Sequence, residues 1–148
     1  GGAYSEEIIV EGKNCLNIPN TLTLEESAVI PVVGLTAYEG LIKHGKLKRG
    51  DSVFINGCTG GVGSFAVQIA KAVGAEITGT CSEKKLDFAK KIGTDKALDY
   101  LRFKVSTGIE KYDVILDITG KLTPKQFRKL GKKSAKFSTT GFNFKLLI

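Results

Sequence analysis

The sequence contains no methionine, not even at position 1, and a single histidine, His44. Its three cysteines, Cys15, Cys58 and Cys81, are odd in number and widely spaced. Neither a disulfide framework nor a zinc site built from C-x-x-C with H-x-x-x-H has the residues it needs, and a reducing compartment is expected. Long apolar runs are missing as well. The longest, Ala28 to Ala37, is too short to span a bilayer and is interrupted by Pro31 and Gly34. The opening Gly1-Gly2-Ala3-Tyr4-Ser5-Glu6-Glu7 has neither the basic region nor the apolar core of a signal peptide. Together these absences predict a soluble, cytoplasmic protein with no membrane span and no bound metal. Acids are missing from one end: eight Lys and Arg lie between Lys121 and Ile148 with no Asp or Glu. The formal charge of +7 therefore belongs to that end, and residues 1–120 are close to neutral. The stripe carries no recognition motif, so it reads as a solvated face, and nucleic acid is not an expected partner.

What is present fits one ordinary globular domain, with 42% hydrophobic and 25% charged residues in 148. Ala3 to Val10 and Cys15 to Ile18 read as two short strands joined by a Glu11-Gly12-Lys13-Asn14 turn. Thr23-Leu24-Glu25-Glu26 is a capping box that starts a helix at about Leu24. Pro31 is expected to end or kink that helix, with a second running from Val33 to His44. Thereafter strands and helices alternate. Strands are expected at Ser52–Asn56, Glu76–Thr80, Lys96–Asp99, Asp113–Ile118 and Ala135–Thr139, with helices after Gly63 and over Glu83–Ile92 and Thr123–Leu130. Strands separated by helices imply βαβ units, and hence an α/β, Rossmann-type, doubly wound parallel sheet.

Between the first of these strands and its helix lies Gly57-Cys58-Thr59-Gly60-Gly61-Val62-Gly63. A glycine cluster alone is no more than a tight turn. Placed after a strand and before an amphipathic helix, it is the setting of a dinucleotide fingerprint, in which unpaired helix N–H groups meet a pyrophosphate. Gly60 and Gly61 would let the phosphates approach, and Gly63 would let the helix lie close to the strand. The end of the second strand bears on which dinucleotide is held. An acid there receives the ribose hydroxyls of NAD, whereas this sequence has Cys81-Ser82-Glu83-Lys84-Lys85, and Glu76 lies at the wrong end of the strand. A hydroxyl beside two ammonium groups suits the 2′-phosphate of NADP. Ser82 as a simple helix cap and the lysines as solvated groups are the alternative reading. Tyr100, ending the third strand, is placed to pack beside the same phosphate or to sit exposed in a turn.

The sequence resembles the medium-chain dehydrogenase/reductases, and within them the zinc-independent quinone oxidoreductases. The matching stretches include Leu24-Glu25-Glu26-Ser27-Ala28, Pro31-Val32-Val33-Gly34-Leu35-Thr36-Ala37-Tyr38, Gly60-Gly61-Val62-Gly63, Gln68-Ile69-Ala70-Lys71 and Asp113-Val114-Ile115-Leu116-Asp117. Gly57 stands where that branch carries alanine. The resemblance implies that Thr36 lies near the nicotinamide ribose and that Gly61 and Val62 face the pyrophosphate, with Gly57 and Thr59 in the same turn. It further implies that Ser82, Lys85 and Tyr100 hold the adenosine phosphate of NADPH. The implied reaction is hydride transfer from NADPH to a quinone or enone, without zinc, by a homodimer. A non-catalytic NADPH-binding module is the alternative, and no proton donor is identified. Residues 1–22 are expected to be the β remnant of a GroES-like substrate domain, with 23–148 forming the NADP-binding domain. A divergent sixth strand is expected after Thr140. The missing methionine and the two opening strands suggest a piece of a longer enzyme.

Overall fold

The structure, a computed structural model, describes residues 5–105 and 110–140. Its centre is a sheet of five parallel strands: β1 (Ser52–Asn56), β2 (Glu76–Cys81), β3 (Lys96–Asp99), β4 (Tyr112–Asp117) and β5 (Gly131–Thr139), in the spatial order β3-β2-β1-β4-β5. Helices α1 (Leu24–Tyr38), α2 (Gly61–Val73), α3 (Leu86–Lys91) and α4 (Pro124–Leu130) cover it. The order reverses between β1 and β4, because the chain adds strands outward on one side before crossing to the other.

Burial follows from alternation along the strands. Val53 and Ile55 point to one face with Val114, Leu116 and Ile77, where α1 and α2 supply Ala37, Ala66, Val67 and Ala70. Phe54 and Ile115 point to the other, against Phe127 and Leu130 of α4 and Leu122. The ring of Phe54 packs between Phe103 and Tyr112, at centroid distances of 5.4 and 5.2 Å. Both faces are covered, which is why β1 reads as a continuous apolar run.

Three expectations differ from the structure. The helix from Leu24 passes through Pro31 to Tyr38 and continues as wider turns over Glu39–His44. An interior proline costs about 3 kcal/mol. Here α1 packs along α2, with Phe65 beneath Gly34 and Val33 against Gly61. That tertiary burial, together with the capping box formed by Thr23 and Glu26, holds the helix across the break. Among the described residues 5–22 there is no strand. A single 3-10 turn, Gly12–Asn14, interrupts an exposed segment in which Ile9 and Leu16 face solvent. Two isolated strands are marginal without a sheet to join, and this segment pairs with none. Finally, β5 starts at Gly131, directly after α4, and its register against β4 shifts, so that Gly131 faces Tyr112 while Lys136 faces Val114. The sixth strand expected after Thr140 lies outside the described residues, as do Ala3 and Tyr4.

Candidate functional site

The strands on either side of the reversal carry polar residues at their carboxyl ends: Asn56 on β1, Thr80 on β2 and Asp117 on β4. They form one network. The buried Asp117 accepts from Asn56 Nδ2 (2.8 Å), the Thr119 hydroxyl (2.9 Å) and the Gly120 N–H (3.1 Å) at Oδ1, and from the Leu122 N–H (2.8 Å) at Oδ2. Asn56 Oδ1 accepts from the Thr80 hydroxyl at 2.6 Å, and Thr80 Oγ1 accepts from the Gly57 N–H at 3.2 Å. A buried carboxylate is costly unless its lone pairs are occupied. Here four donors occupy them, and the ends of three strands are tied to one frame.

From that frame the glycine turn departs. Gly57 has φ +93°, a left-handed conformation that other residues adopt only with strain. The Cys58 N–H donates to the Thr80 carbonyl at 2.9 Å, fixing the turn to β2. A Cβ on Gly63 would stand 2.1 Å from the Gly57 carbonyl oxygen and 2.8 Å from the Cys58 carbonyl carbon, so only glycine lets α2 rest on the turn. The first intrahelical bond of α2 runs from the Ser64 N–H to the Gly60 carbonyl at 2.8 Å. The amides of Gly61, Val62 and Gly63 therefore project from the positive end of the helix without an intrahelical acceptor.

A cleft of about 520 Å³ opens in front of this turn. Six of the ten sequence-predicted residues line it: Gly57, Thr59 and Gly60 on the turn, and Ser82, Lys85 and Tyr100 on the loops beyond β2 and β3. The other four are not among its lining residues. Gly61 abuts Val33 of α1 and Val62 packs against the core, while Gly63 is buried beneath the turn. Thr36 is half-buried on α1, its hydroxyl donating to the Val32 carbonyl at 2.6 Å. Ser82 occupies the cap position of the 3-10 turn Glu83–Lys85, yet its side chain makes no capping bond. The Tyr100 N–H donates to the Cys81 carbonyl at 2.9 Å, which draws that half-exposed ring beside the end of β2.

The cleft lining includes two lysines, Lys85 and Lys121, and no aspartate or glutamate. Arg102, nearby, is engaged with Glu83 at 2.9 Å. The site is thus cationic at its rim, with the N-terminal end of α2 following directly on the lining residue Gly60, an arrangement that suits phosphates. Apolar walls from Phe103, Val105, Ile118 and Leu122 leave room for a flat apolar group beside them. Burial and the neighbouring Cys81 thiol push the pKa of Cys58 up to about 12, and burial raises that of Cys81 also, so neither is a thiolate at neutral pH.

Sequence reasoning overlooked Asn56, Thr80, Thr119, Lys121 and Gln126, and quoted Asp117 without a role. The signal was present, because apolar strands that end on polar residues at the same edge mark the side on which an α/β sheet binds ligands.

A parallel sheet of this order, with a glycine turn and a cleft at its point of reversal, defines a Rossmann-type α/β protein. Residues 61–147 match the family model of the zinc-binding dehydrogenases. The chain belongs to that family, within the medium-chain dehydrogenase/reductase superfamily. It is 35% identical over 122 residues to the trans-enoyl reductase pgmF of Aspergillus terreus, covering 80% of this chain and 34% of that protein. It is 37% identical over 147 residues to the mitochondrial NAD(P)H oxidoreductase RTN4IP1 of Danio rerio, covering 93% of this chain and 38% of that protein. The solved quinone oxidoreductase from Coxiella burnetii superposes with a TM-score of 0.72 at 29% identity, over 79% of this chain and 37% of that one. The chain spans about a third of the length of the curated relatives it matches. Although the family is described by zinc binding, no three His, Cys, Asp or Glu side chains come together among the described residues, so these residues offer no donor set for zinc. No helix among the described residues is long and apolar enough to cross a membrane.

Proposed function

We propose that the protein binds NADPH in this cleft and serves hydride transfer to a quinone or an activated carbon–carbon double bond. One observation carries the cofactor reading. Ser82, Lys85 and Tyr100 converge on the same cleft as the glycine turn, and its lining contains no acid of the kind that receives the free ribose hydroxyls of NAD. The bound cofactor supplies the hydride, while the protein orients it and excludes water. Helix α2 directs its free amides at the pyrophosphate, and the Asp117 network holds the loops that border the adenosine half. Thr36 would stand towards the nicotinamide ribose. For the acceptor, the support is the company of relatives named as enoyl reductase and quinone oxidoreductase. Homodimer assembly and a cytoplasmic location belong to the same reading, the latter set against relatives named as mitochondrial. Light scattering and cell fractionation test them.

The decisive experiment compares NADPH and NADH affinity by calorimetry in the protein and in Lys85→Ala. A hydrogen bond to a charged group contributes about 1.5–3 kcal/mol, so losing Lys85 should weaken NADPH about tenfold or more and leave NADH nearly unchanged. Equal affinity of the unmodified protein for the two would overturn the reading. Turnover assays with quinones and enones then separate an enzyme from a module that binds without reacting.

A further inference from the structure

After β4 the chain wraps around a single buried carboxylate. Asp117 accepts from the Gly120 N–H at Oδ1 (3.1 Å) and from the Leu122 N–H at Oδ2 (2.8 Å), so the residues on both sides of Lys121 are pinned to it. The Lys121 N–H itself reaches the Thr119 hydroxyl oxygen at 3.4 Å, and that hydroxyl donates to Asp117 at 2.9 Å. The backbone of Lys121 is therefore held while its side chain remains exposed and lines the cleft. Lys85 enters the cleft from the loop after β2, and Lys121 from the loop after β4. Since β2 and β4 flank β1 on opposite sides, the two lysines stand on opposite walls with the glycine turn between them. Both side chains line the same cleft of about 520 Å³. Neither lysine is paired with a carboxylate among the described residues, in contrast to Arg102 with Glu83 and Lys132 with Asp113.

The charge of the ligand asks for both. A phosphate monoester carries about −1.5 to −2 at neutral pH, and one ammonium leaves about half of that uncompensated. We infer that Lys121 is a second specificity-determining cation, whose ammonium meets the 2′-phosphate of NADPH from the β4 wall while Lys85 meets it from the β2 wall. This rests on the NADPH reading above. It also accounts for the first residue of the basic stretch that begins at Lys121, which composition alone assigned to solvent.

The test measures equilibrium binding of two fragments, adenosine 2′,5′-bisphosphate and adenosine 5′-monophosphate, by calorimetry, in the unmodified protein, Lys121→Ala and Lys85→Ala. Lys121 is exposed, and an unchanged unfolding temperature will verify that its variant is folded. The bisphosphate should bind Lys121→Ala about tenfold more weakly, with the monophosphate within about twofold, and the salt dependence of bisphosphate binding should become shallower. Equal weakening of both fragments, or of neither, overturns the inference. If Lys85→Ala loses the preference for the bisphosphate while Lys121→Ala keeps it, the inference fails and the NADPH reading stands. If the unmodified protein does not distinguish the two fragments, both fail.

Discussion

Two glycines in one turn, three residues apart, should fail in opposite ways when each is given a methyl group. At Gly63 the added Cβ would lie 2.1 Å from the Gly57 carbonyl oxygen, 2.8 Å from the Cys58 carbonyl carbon and 2.9 Å from the Cys58 Cα. All three are backbone atoms, so no rotamer change relieves the clash. To restore van der Waals contact, α2 and the turn must separate by about 1 Å, a form of overpacking that costs about 1–3 kcal/mol. The helix preference of alanine over glycine returns at most about 1 kcal/mol. A net loss of about 1–2 kcal/mol lowers the unfolding temperature of a domain this size by about 3–6 °C. Gly60 differs. Its φ of −81° and ψ of 178° suit any residue, and a Cβ there meets only the Gly57 oxygen at 3.8 Å. Gly60→Ala should therefore change stability by no more than about 0.5–1 kcal/mol, the cost of a poorer helix cap. On the proposed reading its methyl would nevertheless stand in the path of the pyrophosphate, and NADPH affinity should fall at least tenfold. With no tryptophan in the chain, unfolding is best followed by far-ultraviolet circular dichroism, and binding by calorimetry. A Gly63→Ala protein with unmodified stability would refute the close contact of helix and turn. A Gly60→Ala protein with unmodified affinity would refute the placement of the phosphates.

Two further predictions concern titration. Partial burial works to raise the pKa of Asp113, but Lys132 at 2.6 Å and the Ser52 hydroxyl and N–H at 2.8 and 2.9 Å outweigh it and hold the carboxyl below its ordinary value. A carboxyl lowered in the folded state contributes stability that is present above the unfolded pKa of about 3.9 and is lost as the pH falls through the folded value. Asp113→Asn should thus lower the unfolding temperature at neutral pH, with the gap closing in acid; a gap independent of pH would contradict this. Of the cysteines, Cys15 is exposed while Cys58 and Cys81 are buried with raised pKa values. Iodoacetamide near neutral pH should label Cys15 alone in the folded protein and all three in denaturant, as intact mass will report.

How far this was legible in the sequence depends on the range of the interaction. Ser52–Asn56 and Lys96–Asp99 are read to the residue, because a strand needs only its own apolar run and the breakers that flank it. Pro31 misleads because its local effect on the helix is opposed by the packing of Val33 and Gly34 against Gly61 and Phe65 of α2, which no window around residue 31 contains. The opening strands mislead in the reverse direction, as their pattern is locally sound but lacks a partner strand. The site divides in the same way. The glycine turn is contiguous, so its place between a strand and a helix can be read directly, whereas Asn56 meets Asp117 and Thr119 across 61 and 63 residues of chain.

The basic end of the chain shows what this division means for charge. Along the sequence, Lys121 to Lys145 form one stripe of a single sign. In the fold it separates: Lys121 faces the cleft, Arg128 borders a groove beside Phe127 and Phe137, and Lys132 is bound to Asp113. A field summed over the stripe therefore overstates what any one ligand meets. On the proposed reading, the share that would matter for a phosphate is set by Asp117, which fixes the backbone on both sides of Lys121, the one lysine of the stripe that lines the cleft among the described residues, and so would convert a compositional excess into a positioned charge.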